Sequence, residues 1–354
     1  MSFASAASRK LLAGARASEW WGYKMAPLLA TAYATASLAA RPWGPLLPRL
    51  LGLLLAFVVG AVYVSLLNDW TDRADDAASH KVNRLAQVPG GLVAAALAAC
   101  LASGAALTWY YWQASPAAGL LYLGAWVVYS LYSLPPLRLK VRGGWGLLAD
   151  TAGAHVLPQL LTAVLVARWA GAALPAGWLP AVGAWAVGCG LRNILWHQLG
   201  DAAADRQAGV ATYVVRHGEP AARRLAAYAA LPLEALALAA LLYQGQQPLA
   251  GLALALYGFS AWVRARMSWQ PVVIAQPQPD QHILLNEFYE LYYPLALLLA
   301  HSLRWPAEAW ILGLHLLLFG AHGWFGFQML GWSLAVAYGK LRQLLAAGTH
   351  RLFK

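Results

Sequence analysis

The stretch NDWTDRADD, Asn68 to Asp76, places four aspartates and an asparagine directly after the apolar run LGLLLAFVVGAVYVSLL. Successive residues on a helix turn by about 100°. Asn68, Asp72 and Asp76 therefore share one stripe, with Asp69 and Asp75 flanking it. A second run, HQLGDAAADRQAG, sets His197, Asp201, Asp205 and Gly209 at steps of four, again on one stripe. Like-charged carboxylates at this spacing repel one another, and removing them from water beside a membrane is costly. A divalent cation relieves both penalties. Ligands that are all carboxylate and amide oxygens suit a hard ion. Magnesium in particular takes one or two carboxylates together with waters and substrate phosphates. Two acidic stripes facing one another would hold two or more Mg2+ ions bridging a diphosphate.

Basic residues stand where a diphosphate would need them. YSLPPLRLKVRGGWG carries Arg138, Lys140 and Arg142 on a turn opened by proline and closed by glycine, and Lys81 and Arg84 follow the first acidic run. Lysine and arginine are the usual phosphate ligands. Acids also cap helices and basic loops also set membrane orientation. Two acidic runs in order, each closing an apolar segment, favour the metal reading over capping alone.

These residues must be positioned by elements that live in lipid. The chain has 354 residues, is 60% hydrophobic and only 11% charged, and contains 18 tryptophans. A helix needs about 20 apolar residues to cross a bilayer, and candidate segments fall at roughly 22–40, 48–67, 90–112, 117–135, 146–166, 178–197, 225–243, 248–264, 284–303 and 309–329. Without strand alternation, the cost of unpaired backbone groups in hydrocarbon demands an all-α polytopic bundle of nine or ten membrane helices. The chain reads as a single membrane domain over 1–354, with an interfacial segment at 1–20 and a basic tail at 330–354. Trp20 and Trp21 are expected at headgroup depth.

The net charge of +11 does not indicate nucleic acid, because the positive residues are divided among the connections between spans. The connections after the second, fourth, sixth and eighth spans are basic and the alternate ones are poor in Lys and Arg, which is the positive-inside pattern. The acidic loops are thereby expected on the cytoplasmic side of a membrane such as the bacterial inner membrane. Cys100 and Cys189 both lie inside predicted spans, which leaves no disulfide framework or zinc cluster. Each long inner connection opens with aspartates four apart, an internal echo of two halves facing a common cavity.

Asn68-Asp69-x-x-Asp72-x-x-x-Asp76, the later Asp201-x-x-x-Asp205-x-x-x-Gly209 and the intervening YSLPPLRLK together resemble the UbiA superfamily of intramembrane prenyltransferases, over about residues 20 to 300. The resemblance implies a helical bundle around a central, lipid-accessible cavity capped by the two acidic loops. It implies an isoprenoid diphosphate donor held through Mg2+ and a hydrophobic, usually aromatic, acceptor. Carried over residue by residue, Asn68, Asp72, Asp76, Asp201 and Asp205 would hold metal, and Lys140, Arg138, Lys81 and Arg84 the diphosphate. Asp72, Asp201 and Lys140 would be catalytic. Arg84 sits in KVNRLAQVPG, where many members have an Arg-Pro-Leu-like segment, so it matches only approximately.

Ionisation of an allylic diphosphate leaves a carbocation that aromatic faces stabilise, and Trp70, Tyr129, Tyr132, Trp145 and Trp196 lie near the motifs. Asp150, His155 and His197 are candidate acceptor contacts or bases. For Asp150 and His155, hydrogen-bonded packing is the commoner role of a lone polar residue in an apolar span. Glu287 and Glu290 have no counterpart in the resemblance and read as solvation at the end of a span. Two alternatives stay open: a membrane terpene cyclase, in which the cation is captured by its own chain, and a secondary transporter. Transporter sites favour the bilayer midplane on broken helices, whereas these acids close the inner ends of spans.

Overall fold

The computed structural model describes residues 6–267, 270–278 and 281–352, so the ends of the N-terminal segment and of the C-terminal tail lie outside the described residues. Helices account for nearly all of it. Two short helices, α1 (Ala6–Gly14) and α2 (Ala17–Trp20), precede α3 (Ala26–Ser37) and α4 (Leu47–Thr71). After α5 (Arg73–Ala78) come α6 (Gly90–Ala114), α7 (Pro116–Ser133), α8 (Gly144–Thr151), α9 (Leu157–Ala170) and α10 (Trp178–Gln207). The second half continues through α11 (Tyr213–Leu225), α12 (Leu231–Gly245), α13 (Pro248–Ala265), α14 (Tyr293–Arg304) and α15 (Trp310–Leu352). Between α13 and α14, β1 (Gln270–Val272) pairs in parallel with β2 (Gln281–Ile283).

Each apolar segment of the sequence coincides with helix. Gly44–Thr71, Gly90–Ala114 and Tyr213–Gly245 are long and apolar enough to cross a membrane as single helices. The last apolar segment is not one straight rod. Pro306–Ala321 and Gly323–Lys340 bend by 84°, and the break falls at Phe319, whose φ and ψ of −123° and 24° are not helical. The carbonyl of Leu318 at this break accepts a hydrogen bond from the Trp21 indole at 2.8 Å, and the Trp21 ring stacks on Phe319 at 5.5 Å.

Four helices begin with the same device. Wide i→i+5 turns at Trp21–Met25, Ala152–Val156, Ala226–Ala230 and Phe288–Tyr292 are each followed by a regular helix with proline at its second position: Pro27, Pro158, Pro232 and Pro294. Proline lacks an N–H and its ring collides with the carbonyl four residues back. The wide turn gives that ring room while the helix stays continuous.

The N-terminal helices dock onto the rest of the protein. Trp20 is buried and donates from its indole to Ala15 O at 2.8 Å. Arg16 pairs with the buried Asp69, and Arg84 pairs with Glu19. Charges on these helices are matched to the end of α4, through Asp69, and to the connection before α6, through Arg84.

The core is apolar and built partly on close helix approach. A Cβ on Gly188 would lie 2.6 Å from Glu234 Cβ, which is how α10 and α12 come together. Between them the fully buried Arg192 and Glu234 form a bidentate pair at 2.7 and 2.5 Å. Arg192 also donates to Leu284 O and Val273 O, and Tyr289 donates to Glu234, which ties the β1–β2 connection to α10.

Candidate active site

Helix α4 stops at Thr71, but its hydrogen-bond ladder does not. The Asp72 N–H donates to Asn68 O at 2.9 Å and the Asp76 N–H to Asp72 O at 2.8 Å, across a break at Asp72 with φ −98° and ψ 4°. The acidic stripe is therefore turned rather than scattered, and each member meets a different partner. Asn68 accepts a hydrogen bond from Ser133, and Asp72 pairs with Lys140. Arg138 lies 3.0 Å from Asp72 and 2.5 Å from Asp75. Asn83 donates to Asp76 at 2.8 Å and to Asp69 O at 2.7 Å, closing the loop on itself.

The turn between α7 and α8 supplies the cations. Arg138 occupies the left-handed region, with φ 39°, a conformation costing an L-residue about 1 kcal/mol that its two aspartate partners offset. Burial depresses the Lys140 ammonium below the ordinary lysine value, with Asp72 pulling the other way. Burial also works against Arg138, but hydrogen bonds to Asp75 and Asp72 leave its guanidinium above the usual value. The turn is anchored at Gly143, which bridges to Thr212 and has φ 58°. Arg216 donates to Val141 O at 3.1 Å. Connections after the second, fourth and sixth apolar segments thus meet at one end of the bundle.

The second acidic run is one uninterrupted stretch of α10, and Lys81 joins it to the first. The Lys81 N–H donates to Asp76 O at 2.9 Å, while its Nζ lies 3.1 Å from Asp201 and 3.7 Å from Asp205. Burial pushes the Asp205 carboxyl up to about 6, against the opposing pull of Lys81. Lys81 thus brings the two runs to one place. Among the described residues no three His, Cys, Asp or Glu side chains gather closely enough to hold a metal. Each acid is turned to a basic or amide partner instead.

Below this polar end lies a cavity of about 270 Å³. Arg16, Glu19, Asn68 and Tyr132 line it toward the acids, while Leu28, Phe57, Leu121 and Leu161 line its apolar part. Asp150, His197 and Lys24 also contribute to its wall. Of the aromatic residues singled out by sequence, Tyr129 and Tyr132 face the cavity. Trp70 instead stacks under Arg73, with 4.3 Å from the guanidinium carbon to the ring centroid, Trp145 is exposed, and Trp196 packs beside α11. Tyr63, Tyr122 and Trp126 line the cavity as well and were not anticipated. Their positions inside uniformly apolar helices carry no mark that separates a cavity face from a packing face.

Residues 28–274 match the UbiA prenyltransferase family. Among solved structures, a UbiA homolog from Archaeoglobus fulgidus bound to DMAPP and Mg2+ is similar at 17% identity, covering 92% of this chain and 99% of that one with a TM-score of 0.48. The homolog bound to GPP and Mg2+ is similar at 17% identity over 92% and 99% of the two chains, with a TM-score of 0.46. No curated protein matches the chain.

Proposed function

The chain belongs to the UbiA prenyltransferase family, and from that premise we propose that it transfers the prenyl group of an isoprenoid diphosphate to a hydrophobic acceptor in the membrane. The observation that carries the reading is the meeting of both acidic runs with Lys81, Arg138 and Lys140 above a largely apolar cavity. The donor set fits magnesium. Asp72 and Asp76 on one side and Asp201 and Asp205 on the other are all-oxygen half-sites of the kind that ion completes with water and phosphate, which does not require a closed cluster in the protein. Asn68 is the amide ligand in this assignment. Magnesium, when bound, neutralises charge on the departing diphosphate.

The protein's own cations supply the rest. Lys140, Arg138 and Lys81 are held at the site by aspartates, and they exchange those partners for phosphate oxygens as negative charge grows on the leaving group. Arg84, engaged with Glu19, is assigned a supporting role in holding the donor. Breaking the allylic C–O bond leaves a carbocation among the rings of Tyr129, Tyr132, Tyr63 and Trp126. The apolar wall keeps water from quenching it. Asp150 and His197, both in the wall, are assigned to take the proton lost by the acceptor.

The test is incubation of membranes containing the chain with labelled farnesyl diphosphate. Magnesium-dependent transfer of label into a lipid-soluble adduct is the expected result. Cyclic hydrocarbon as the sole product would replace transfer with cyclisation. Absence of diphosphate release, with any isoprenoid chain length supplied, would overturn the reading.

A further inference from the structure

The two limbs of α15 take different courses. The first runs the length of the bundle. It starts beside the α3–α4 connection, where Glu308 accepts the N–H groups of Trp43 and Gly44, and ends at Phe319 against Trp21. Trp21 directly follows the short helix α2, whose neighbour Arg16 pairs with Asp69, so the break stands at the acid-bearing end. The second limb, Gly323–Lys340, stays at that level. Its fully buried Ser333 hydrogen-bonds to Ser260 at 3.0 Å, near the end of α13. A Cβ on Gly326 would collide with Leu291, in the wide turn that opens α14. The connection between α13 and α14 lies at the acid-bearing end too. A Cβ on Gly200, the residue before Asp201, would lie 3.0 Å from Pro277 Cγ.

Because the first limb follows the bundle axis, an 84° bend turns the second across it. Its length of about 27 Å is therefore spent sideways rather than through a bilayer. Gly323, Gly326 and Ser333 face the protein. Away from it, Trp324, Phe325, Phe327, Trp332 and Tyr338 are 39–67% exposed. Water is a poor solvent for such a face. Tryptophan and tyrosine, apolar rings with one polar tip, are the residues that the boundary between headgroups and acyl chains takes up. Charge names the leaflet's chemistry. From Ala309 to Lys354 the sequence has no Asp or Glu, yet it carries Lys340, Arg342, Arg351 and Lys354. Lys340 and Arg342 are exposed. A second copy of this limb would bring like charges together, whereas anionic headgroups complement them.

We propose that Gly323–Lys340 is a lipid-binding helix that lies in the membrane plane at the acid-bearing end. Its aromatic face sits in the headgroup–acyl boundary, and Lys340 and Arg342 engage anionic lipid headgroups. The limb is thus a leaflet-docking surface and not a further crossing. This holds with or without the prenyl-transfer reading.

Two measurements on the full chain in nanodiscs test it. First, Cys100 and Cys189 are replaced by alanine, and Phe325, Trp332 and Tyr338 are changed to cysteine one at a time and nitroxide-labelled. Immersion depth follows from relaxation by oxygen against an aqueous nickel chelate. The three depths should agree within one helix diameter, about 10 Å, without a progressive rise along the chain. A crossing helix separates positions 325 and 338 by about 20 Å, with 332 between them. If the cysteine-free chain does not fold, an unnatural amino-acid label at the same positions, both cysteines kept, gives the depths. Second, a fluorophore at position 338 is quenched by headgroup-spin-labelled phosphatidylglycerol or phosphatidylcholine. Phosphatidylglycerol should be preferred about fivefold or more, the scale of one basic residue at an anionic surface. Lys340→Gln with Arg342→Gln should reduce that preference to about twofold or less, with thermal unfolding unchanged. A 20 Å progression of depths overturns the proposal, as do labels relaxed by the nickel chelate alone. Labels sheltered from both relaxants in a particle of doubled mass would assign the face to a second copy and overturn it as well. So would equal quenching by the two lipids, or a preference that survives the double variant.

Discussion

Lys81 follows the first acidic run in sequence, yet its Nζ lies 3.1 Å from Asp201 of the second. One side chain thus spans the two halves of the site, held at its base by Asp76 and at its tip by α10. The pair is substantially exposed, with Asp201 at 58% and Lys81 at 33%. Exposed ion pairs contribute about 0–1 kcal/mol to stability, so function rather than folding is what Lys81 is expected to serve.

Lys81→Met should accordingly leave the melting temperature within a few degrees of wild type. Turnover with isoprenoid diphosphate should fall by about 10²-fold, the scale of losing one charged donor to a developing anion. Diphosphate release and thermal unfolding measured on the same preparation check both halves. An unfolded variant, or one with full turnover, contradicts the assignment.

Arg192 and Glu234 make the opposite case. Both are fully buried, so Glu234→Ala leaves an uncompensated guanidinium and should cost about 3–5 kcal/mol. Replacing both with leucine should recover most of that loss. Chemical denaturation of the two variants in detergent decides, and equal destabilisation by the single and double changes would show that the pair's geometry, not its charge, holds α10 to α12.

Glu308 provides a pH signature away from the site. It accepts the N–H groups of Trp43 and Gly44 at 2.6 and 2.9 Å and contacts His301 at 2.7 Å. Although burial alone would raise it, the hydrogen bonds from His301, Trp43 and Gly44 hold its carboxyl below the ordinary glutamate value. A depressed folded pKa means that the native state binds fewer protons than the unfolded one. The stabilisation is therefore present above the unfolded value of 4.5 and is lost as pH falls below it. Glu308→Gln should lower stability at pH 7 by about 1–3 kcal/mol and flatten the decline between pH 5 and roughly pH 3.5. Thermal scans of both proteins across that range test it, and parallel curves would remove Glu308 from the account.

Much of this arrangement is legible in the letters. Steps of four in Asn68, Asp72 and Asp76, and in Asp201 and Asp205, survive as ladders in the structure because helical hydrogen bonding runs through or across both segments. Arg138 and Lys140 of the α7–α8 turn meet the first acidic run as charge alone would suggest, whereas Arg142 donates to the Leu137 and Pro136 carbonyls of its own turn. What the letters withhold is partner choice over long separations. Arg16 finding Asp69, or Lys81 finding Asp201, depends on how helices cross, and no local pattern encodes that. The tryptophans show the same limit: no local pattern announces that the Trp21 indole donates to the Leu318 carbonyl beside the non-helical Phe319. Pro27, Pro158, Pro232 and Pro294 were visible, but the wide turns that accommodate them are a property of the backbone ladder.

The proposed function requires the two acidic runs to act together on one diphosphate. Diphosphate release from farnesyl diphosphate at saturating Mg2+ should be measured for wild type, Asp72→Asn, Asp201→Asn and the double variant, each monodisperse in detergent. Each single variant should lose about 10³-fold or more, with little further loss in the double, as for groups that work as a unit. Wild-type release by either single variant, or independent and multiplicative losses in the double, would contradict it.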